Sequence, residues 1–185
     1  MCVTVDSPTH GARNRELRAR AELPERAVPN LKGPDYLDPT LSWKDIDWLR
    51  SFAKSPVLLK GILNPEDAAT AVKAGVSGIL VSNHGGRNLD TVPATIDALP
   101  AIAERVAGRV PLIVDGGIRR GTDVLKALAL GATAVGIGRP YLYGLGVAGA
   151  AGVTRVIEIL RREFEMAMML TGRPSIASID RSVIW

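Results

Sequence analysis

The sequence has very little cysteine, no long apolar run and no strong excess of charge of either sign. The single cysteine, Cys2, excludes an internal disulfide and suits a reducing compartment. The apolar runs are far shorter than the roughly 20 residues that span a bilayer. No basic stretch leads into an apolar one at the start of the chain, as a signal peptide would. We therefore expect a cytoplasmic protein.

The basic residues are scattered among acidic ones, and they leave a net charge of only +4. The densest basic cluster, within residues 13–26, is interleaved with glutamates, which is typical of a solvated surface. We expect no nucleic-acid partner. Apolar residues make up 46% of the 185 residues, which is enough for one domain with a buried core.

Short apolar strands alternate with helical segments along the chain. We predict strands at 2–5, 57–60, 78–82, 110–114 and 134–137, and helices at 42–54, 65–74, 94–106, 122–130 and about 153–170. Residues 6–40 are polar and predict a long loop, of which 9–40 would border an active site. The strands are uninterrupted apolar runs, as in parallel strands that are covered on both faces. This pattern predicts a parallel α/β fold.

Polar residues follow several predicted strands and distinguish two parallel folds. Lys60, Ser82, Asp115 and Arg139 all lie at or just after a strand's carboxyl end. In a (β/α)8 barrel these ends converge on one mouth, whereas a doubly wound sheet would gather such residues at one switch point. We favour the barrel. A full barrel needs about 250 residues and eight strands, so we expect a truncated one that retains about the last five β/α units.

Two glycine-rich turns follow the last two strands, at 115–121 and 136–139. Glycines let backbone N–H groups approach an anion, and the helix that follows adds its dipole. Arg119 and Arg139 could pair with a negative charge there. The turns predict a phosphate site, the alternative being two tight turns that happen to contain glycine.

The sequence Ser-Asn-His-Gly-Gly-Arg at 82–87 predicts acid–base chemistry. At a barrel mouth His84 could accept a proton while Arg87 binds a carboxylate. Lys60 would point into the same mouth and could stabilise developing negative charge. The alternatives are a structural histidine held by its neighbours and a lysine that merely reaches solvent at the rim.

These segments resemble the FMN-dependent α-hydroxy-acid dehydrogenase family, which includes glycolate oxidase, lactate and mandelate dehydrogenases and flavocytochrome b2. The matching stretches run in order over nearly the whole chain: 3–8, 41–45, 59–61, 82–87, 115–121 and 138–140. The pair formed by 82–87 and 115–121 is the most specific. The resemblance covers only the C-terminal part of the family's barrel.

The resemblance implies a role for each matching residue. His84 would accept a proton from a small L-2-hydroxy acid, and Asp6 would stabilise its imidazolium form. Arg13 and Arg87 would bind the substrate carboxylate. FMN would be the cofactor, and no residue is assigned to a metal. The residues implied in FMN binding are Thr4, Lys60 and Ser82 at the ring, with Lys60 near its N1/O2 edge, Asp115 at the ribityl chain, and Gly116, Gly117, Ile118, Arg119, Gly138 and Arg139 towards the phosphate.

The resemblance implies oxidation of the hydroxy acid to a 2-oxo acid, with the flavin taking the electrons. The acceptor that reoxidises the flavin, whether oxygen, a quinone or a cytochrome, stays open, as does a homo-oligomer. Tyr36, Tyr141 and Tyr143 do not match the family's two substrate tyrosines, which lie in its front half. Two alternatives remain: an inactive remnant with only a phosphate or flavin half-site, and another phosphate-binding barrel enzyme such as a flavin-dependent isomerase or a nucleotide dehydrogenase.

Overall fold

The computed structural model of the protein describes residues 1–12, 18 and 37–184. Its sheet contains strands β1 (Cys2–Thr4), β2 (Leu58–Ile62), β3 (Gly78–Val81), β4 (Leu112–Val114) and β5 (Ala134–Val135). Arg13 and most of the predicted loop at 9–40 lie outside the described residues.

The five strands lie side by side in chain order, and each neighbouring pair is parallel. A doubly wound sheet would reverse its strand order at a switch point. The unbroken order therefore confirms the prediction of a partial (β/α)8 barrel. All the strand carboxyl ends meet at one rim, which is where the predicted site residues within the described part of the chain lie.

The helices are α1 (Trp43–Phe52), α2 (Pro65–Lys73), α3 (Thr95–Val106), α4 (Gly121–Ala129) and α5 (Arg139–Leu170). The start of α2 is as predicted, because Asn64 accepts a hydrogen bond from the backbone of Glu66 and Pro65 occupies the first turn. Two short 3-10 helices, Ile176–Ser178 and Arg181–Val183, end the described chain.

The main core lies between the sheet and helices α2 and α3. Strand side chains meet the apolar stripe of α3, and this burial holds the strand ends at fixed positions. The largest fully buried side chains of this core are Leu59, Ile79, Val81, Leu99, Ile102, Val106 and Val114.

The predicted start of the last helix was wrong. We expected it near Val153, but α5 begins at Arg139 and is broken by non-helical backbone at Ala148 and Gly149. The parts on either side, 139–147 and 150–170, approach closely: a Cβ on Gly152 would lie 1.9 Å from the carbonyl oxygen of Gly144. The glycines in 144–152 lower helix propensity, which is why the sequence pattern did not indicate the first part.

The expectation that no apolar segment is long enough to span a bilayer also needs correction. Taken through its break, α5 is long and apolar enough to cross a membrane by length and composition. The break leaves a first part of nine residues, and the second part, 150–170, carries six charged residues. The second part instead packs on α4 through apolar contacts that include Phe164 and Ala167.

Candidate active site

A cavity of about 790 Å³ opens at the carboxyl ends of β2 to β5. Ten of the fourteen residues predicted for the site line it. They come from β2 and from the segments that follow β3, β4 and β5, so the fold brings together residues that are up to 79 positions apart (60 to 139). The ten are Lys60, His84, Arg87, Asp115, Gly116, Gly117, Ile118, Arg119, Gly138 and Arg139.

His84 stands on a tight turn directly after β3. Its φ is +54°, and Gly85 and Gly86 follow with φ of +65° and +70°. A histidine in this left-handed region is uncommon and costs about 1–3 kcal/mol, so the surrounding contacts must hold it there. Asn83 supplies one such contact, because its side-chain oxygen accepts from the backbone N–H of Gly85 at 3.0 Å.

Asp6, in the loop after β1, lies beside His84. Its Oδ1 is 3.1 Å from Nδ1 of the imidazole, and the Ser7 hydroxyl oxygen lies 3.3 Å from the same nitrogen. A carboxylate can only accept at this distance, so a neutral His84 donates through Nδ1–H. The other ring nitrogen, Nε2, then carries the lone pair that a base requires.

Lys60 ends the regular part of β2 and contacts the next two strand ends. Its Nζ donates to the hydroxyl of Ser82 at 2.9 Å and lies 3.8 Å from Oδ2 of Asp115. Ser82 is fully buried and also accepts from the backbone N–H of His84 at 3.2 Å. Ser82 thus connects the lysine to the histidine turn, beneath the cavity rather than in its lining.

The glycine-rich turns form the other end of the cavity. Gly116 and Gly117 have φ of +84° and +80°, and a Cβ on Gly117 or Gly138 would meet nothing within 4 Å. The carboxylate of Asp123 accepts from the backbone N–H groups of Arg119 and Arg120, both at 2.9 Å. These contacts fix the turn ahead of α4 and leave open space beside it.

The first part of α5 supplies a helix N-terminus at this same end. Gly138 precedes the helix, and Arg139 donates to the carbonyl of Gly85 at 3.1 Å. Phosphate-binding barrels hold a phosphate between the loops after strands 7 and 8 and the N-terminus of a short extra helix. The part at 139–147 follows the last of the two glycine-rich turns and so has that place in the chain.

The other predicted residues lie around this centre. Thr4 is exposed on β1, opposite Lys60 in the parallel register, and it does not line the cavity. Arg87 is exposed at the cavity rim. Arg13 lies outside the described residues.

Sequence reasoning missed three supporting residues: Ser7, Asn88 and Thr95. Thr95 is buried at the start of α3, and its hydroxyl lies 2.5 Å from the carbonyl oxygen of Asp115 and 3.2 Å from that of Gly116. Ser7 and Asn88 contact the Asp6–His84 pair. Asn88 directly follows the motif at 82–87, and Ser7 directly follows Asp6. This adjacency was the only sequence signal for either residue. Their partners are far away along the chain.

The cavity has features that fit FMN. Oδ1 of Asp115 is buried and has no hydrogen-bond partner among the described residues, so it can accept from a ribityl hydroxyl. The open glycine turns, together with Arg119 and Arg139, offer N–H donors and positive charge for a phosphate. Lys60 supplies a cation at the opposite end.

Comparisons with known proteins give the same family. The sequence matches the FMN-dependent dehydrogenase family over residues 1–185. It is 48% identical to a 2-hydroxyacid oxidase of Dictyostelium discoideum, covering 100% of this chain and 52% of that one. It is also 48% identical to 2-hydroxyacid oxidase 1 of Mus musculus, covering 98% of this chain and 55% of the relative.

A solved mandelate oxidase variant with (S)-mandelic acid has a TM-score of 0.88 and 45% identity to this chain. The match covers 96% of this chain and 52% of the mandelate oxidase chain. The chain therefore belongs to the FMN-dependent dehydrogenase family, a family of flavin oxidoreductases. It spans about half the length of the relatives that it matches.

Proposed function

We propose that the chain carries the base and the flavin-phosphate site of an FMN-dependent enzyme that oxidises a small L-2-hydroxy acid to the 2-oxo acid. The observation that carries this proposal is the pairing of Asp6 with His84 beside the same cavity that Lys60 and two glycine-rich turns line. Relatives named 2-hydroxyacid oxidase and mandelate oxidase support this substrate class.

His84 is the proton acceptor in this proposal. Its Nδ1–H donates to Asp6, so Nε2 is free to accept a proton from the bound hydroxy acid. The imidazolium that results is stabilised by the Asp6 carboxylate at 3.1 Å. FMN, when bound, would accept the two electrons of the oxidation together with the second proton, and His84 takes the first.

Arginines and Lys60 provide the charges that the reaction needs. Arg87, at the rim near His84, and Arg13 bind the substrate carboxylate, for which the guanidinium fork is suited. Lys60 is the cation beside the flavin ring and stabilises negative charge that develops there. We also assign Thr4 and Ser82 to the ring, Ser82 through its hydrogen bond to Lys60, because Ser82 itself is fully buried.

The remaining residues hold the other end of the cofactor. Asp115 accepts from the ribityl chain through its unpaired Oδ1, and Gly116, Gly117 and Ile118 line the path to the phosphate. Arg119, Gly138 and Arg139 hold the phosphate beside the N-terminus of α5. The relatives' names favour oxygen as the electron acceptor, because they are oxidases.

The test is a visible spectrum of the purified chain with FMN after gel filtration, before and after anaerobic addition of glycolate, L-lactate or L-mandelate. We expect retained flavin that bleaches, at least slowly, with one of the three acids. His84→Gln should retain flavin but not bleach, because the variant lacks the base. Bleaching by His84→Gln at the wild-type rate would contradict the role of His84.

The second candidate is a half-site that binds flavin or phosphate without turnover. In the described part of the chain, β1 and β5 each pair with one strand only, so the sheet is not closed into a barrel. Flavin that is retained but never bleached would favour this candidate. Failure to retain flavin at all would contradict the first candidate and would leave only a phosphate site of the second.

A further inference from the structure

Asn88 lies four residues after His84 and reaches back to the loop that follows β1. Its side-chain nitrogen donates to the backbone carbonyl of Asp6 at 2.8 Å and to the hydroxyl of Ser7 at 2.5 Å. An amide NH2 has two hydrogens, so one group makes both bonds. Asn88 therefore joins the loop that carries Asp6 to the loop that carries His84, across 82 residues of sequence.

Ser7 passes this restraint on to the catalytic pair. Its oxygen accepts from Asn88 and lies 3.4 Å from Oδ1 of Asp6 and 3.3 Å from Nδ1 of His84. Because Nδ1 carries a hydrogen when it donates to Asp6, the carboxylate is the better acceptor for the Ser7 proton. The network then has one consistent direction, in which Asn88 donates to Ser7, and Ser7 and His84 both donate to Asp6.

The backbone around this network is tightly packed. A Cβ on Gly11 would lie 2.1 Å from the carbonyl oxygen of Arg87 and 2.5 Å from Cα of Asn88. The segment after Ser7 therefore lies directly against the segment after His84. The bonds of Asn88 join two segments that are already in contact, and they keep the carboxylate of Asp6 aimed at Nδ1.

We propose that Asn88, acting through Ser7, is a positioning residue that fixes Asp6 against His84 and so selects the imidazole tautomer protonated on Nδ1. The inference deepens the proposed function. It rests on that function only in taking Nε2 of His84 as the atom that accepts the substrate proton. The tautomer itself can be measured without flavin or substrate, so the two ideas can fail separately.

The experiment is nitrogen NMR of the full chain labelled with ¹⁵N-histidine, in alkaline solution, where an imidazole is neutral. The sequence has only two histidines, and His10→Asn identifies the signals of His84. We expect His84 of the wild-type chain to be protonated on Nδ1. Asn88→Ala and Ser7→Ala should shift the population towards protonation on Nε2, and Asp6→Ala should set the scale of complete loss.

Two further variants separate positioning from general damage. Ser7→Thr keeps the hydroxyl and should restore the wild-type tautomer. Ser51→Ala removes an exposed hydroxyl at the end of α1, whose only described bond is to the carbonyl of Trp48, and should leave the tautomer unchanged. Far-UV circular dichroism checks that each variant is folded. If Asn88→Ala does not fold, the comparison of Ser7→Ala with Ser7→Thr still decides the result.

The proposal is overturned if wild-type His84 is not protonated on Nδ1, or if folded Asn88→Ala or Ser7→Ala keeps the wild-type tautomer. If the wild-type chain also bleaches flavin with a hydroxy acid, Asn88→Ala should slow bleaching roughly 10- to 100-fold with little change in the half-saturating substrate concentration, because the base is misplaced. A variant that raises only the half-saturating concentration would contradict positioning of the base. Loss of bleaching in the wild type, with the tautomer intact, would contradict the proposed function alone.

Discussion

Gly61 determines how closely Asp6 can approach β2. Its φ is +108°, and an added Cβ would lie 2.5 Å from both Cβ and Cγ of Asp6. The register of β2 against β3 also shifts between Lys60 and Ile62, so the strand is irregular at this glycine. A side chain at position 61 would therefore be strained in its own backbone and would displace the carboxylate that contacts His84.

We predict that Gly61→Ala destabilises the chain by about 2–4 kcal/mol, the sum of positive-φ strain and a collision that the structure must relieve. Urea unfolding followed by tryptophan fluorescence measures this change. Gly108→Ala is the matched control, because Gly108 also has positive φ, at +70°, but its Cβ would meet nothing within 4 Å. The control should lose only about 1 kcal/mol, and equal losses would show that Asp6 is not the obstacle.

Site residues that lie together in short motifs were predictable from the sequence. Residues that hold them in place from distant parts of the chain were not. His84, Arg87, Asp115 and Arg119 lie in short motifs, and the structure places all four at one cavity. Ser7 is 81 residues from Asn88, and nothing in a single sequence connects two ordinary polar residues over that distance. Their loops follow β1 and β3, and they come together only because both strands pair in parallel with β2.

At the scale of elements, the start of α1 shows a cap that also depends on pH. Ser42 donates to the Asp45 carboxylate through both its hydroxyl and its backbone N–H, each at 2.7 Å. These bonds lower the pKa of Asp45 from its ordinary value of 3.8, because they favour the charged form. Ser42 and Asp45 therefore cap the start of α1, which is shorter than the predicted 42–54.

We predict that Asp45→Ala lowers the thermal midpoint at neutral pH and that the difference from wild type disappears in acid. A carboxylate with a lowered folded pKa stabilises the fold above its unfolded pKa, and this contribution is lost as the pH falls through the folded value. Circular dichroism melting across the acid range measures it. Asp47→Ala, on the same helix but outside the cap, should show little effect, and a difference that persists in strong acid would contradict the role of charge.

Helix boundaries were predicted well where a cap or a proline marks them and badly where glycine occurs inside a helix. Asn64 and Pro65 indicated the start of α2 correctly. The first part of α5 has Gly144 and Gly146 within it, and it lies in close contact with the second part where Gly144 meets Gly152. That contact is tertiary, so no local pattern could indicate it.

At the scale of the whole molecule, the described chain leaves apolar surface uncovered. The first part of α5 presents an apolar face made of Tyr143 and Val147, which lie one helical turn apart and are 67% and 87% exposed. Leu142 and Leu145 are exposed on another side of the same helix. The outer edges of β1 and β5 have no strand partner among the described residues. Unpaired edges and contiguous apolar surface both favour association between chains.

We therefore predict that the 185 residues, produced alone, self-associate as their concentration rises, and that Val147→Glu reduces this association. A charge at such an exposed position costs the fold little, because it stays in water, but it would have to be desolvated in an apolar contact between chains. Sedimentation velocity over a concentration series measures the effect. Ala101→Glu adds the same charge at an exposed position on α3, outside the apolar face, and should leave association unchanged. A wild-type chain that stays monomeric throughout would show that neither the apolar face nor the strand edges drive association. Equal effects of the two variants would attribute association to net charge rather than to the apolar face.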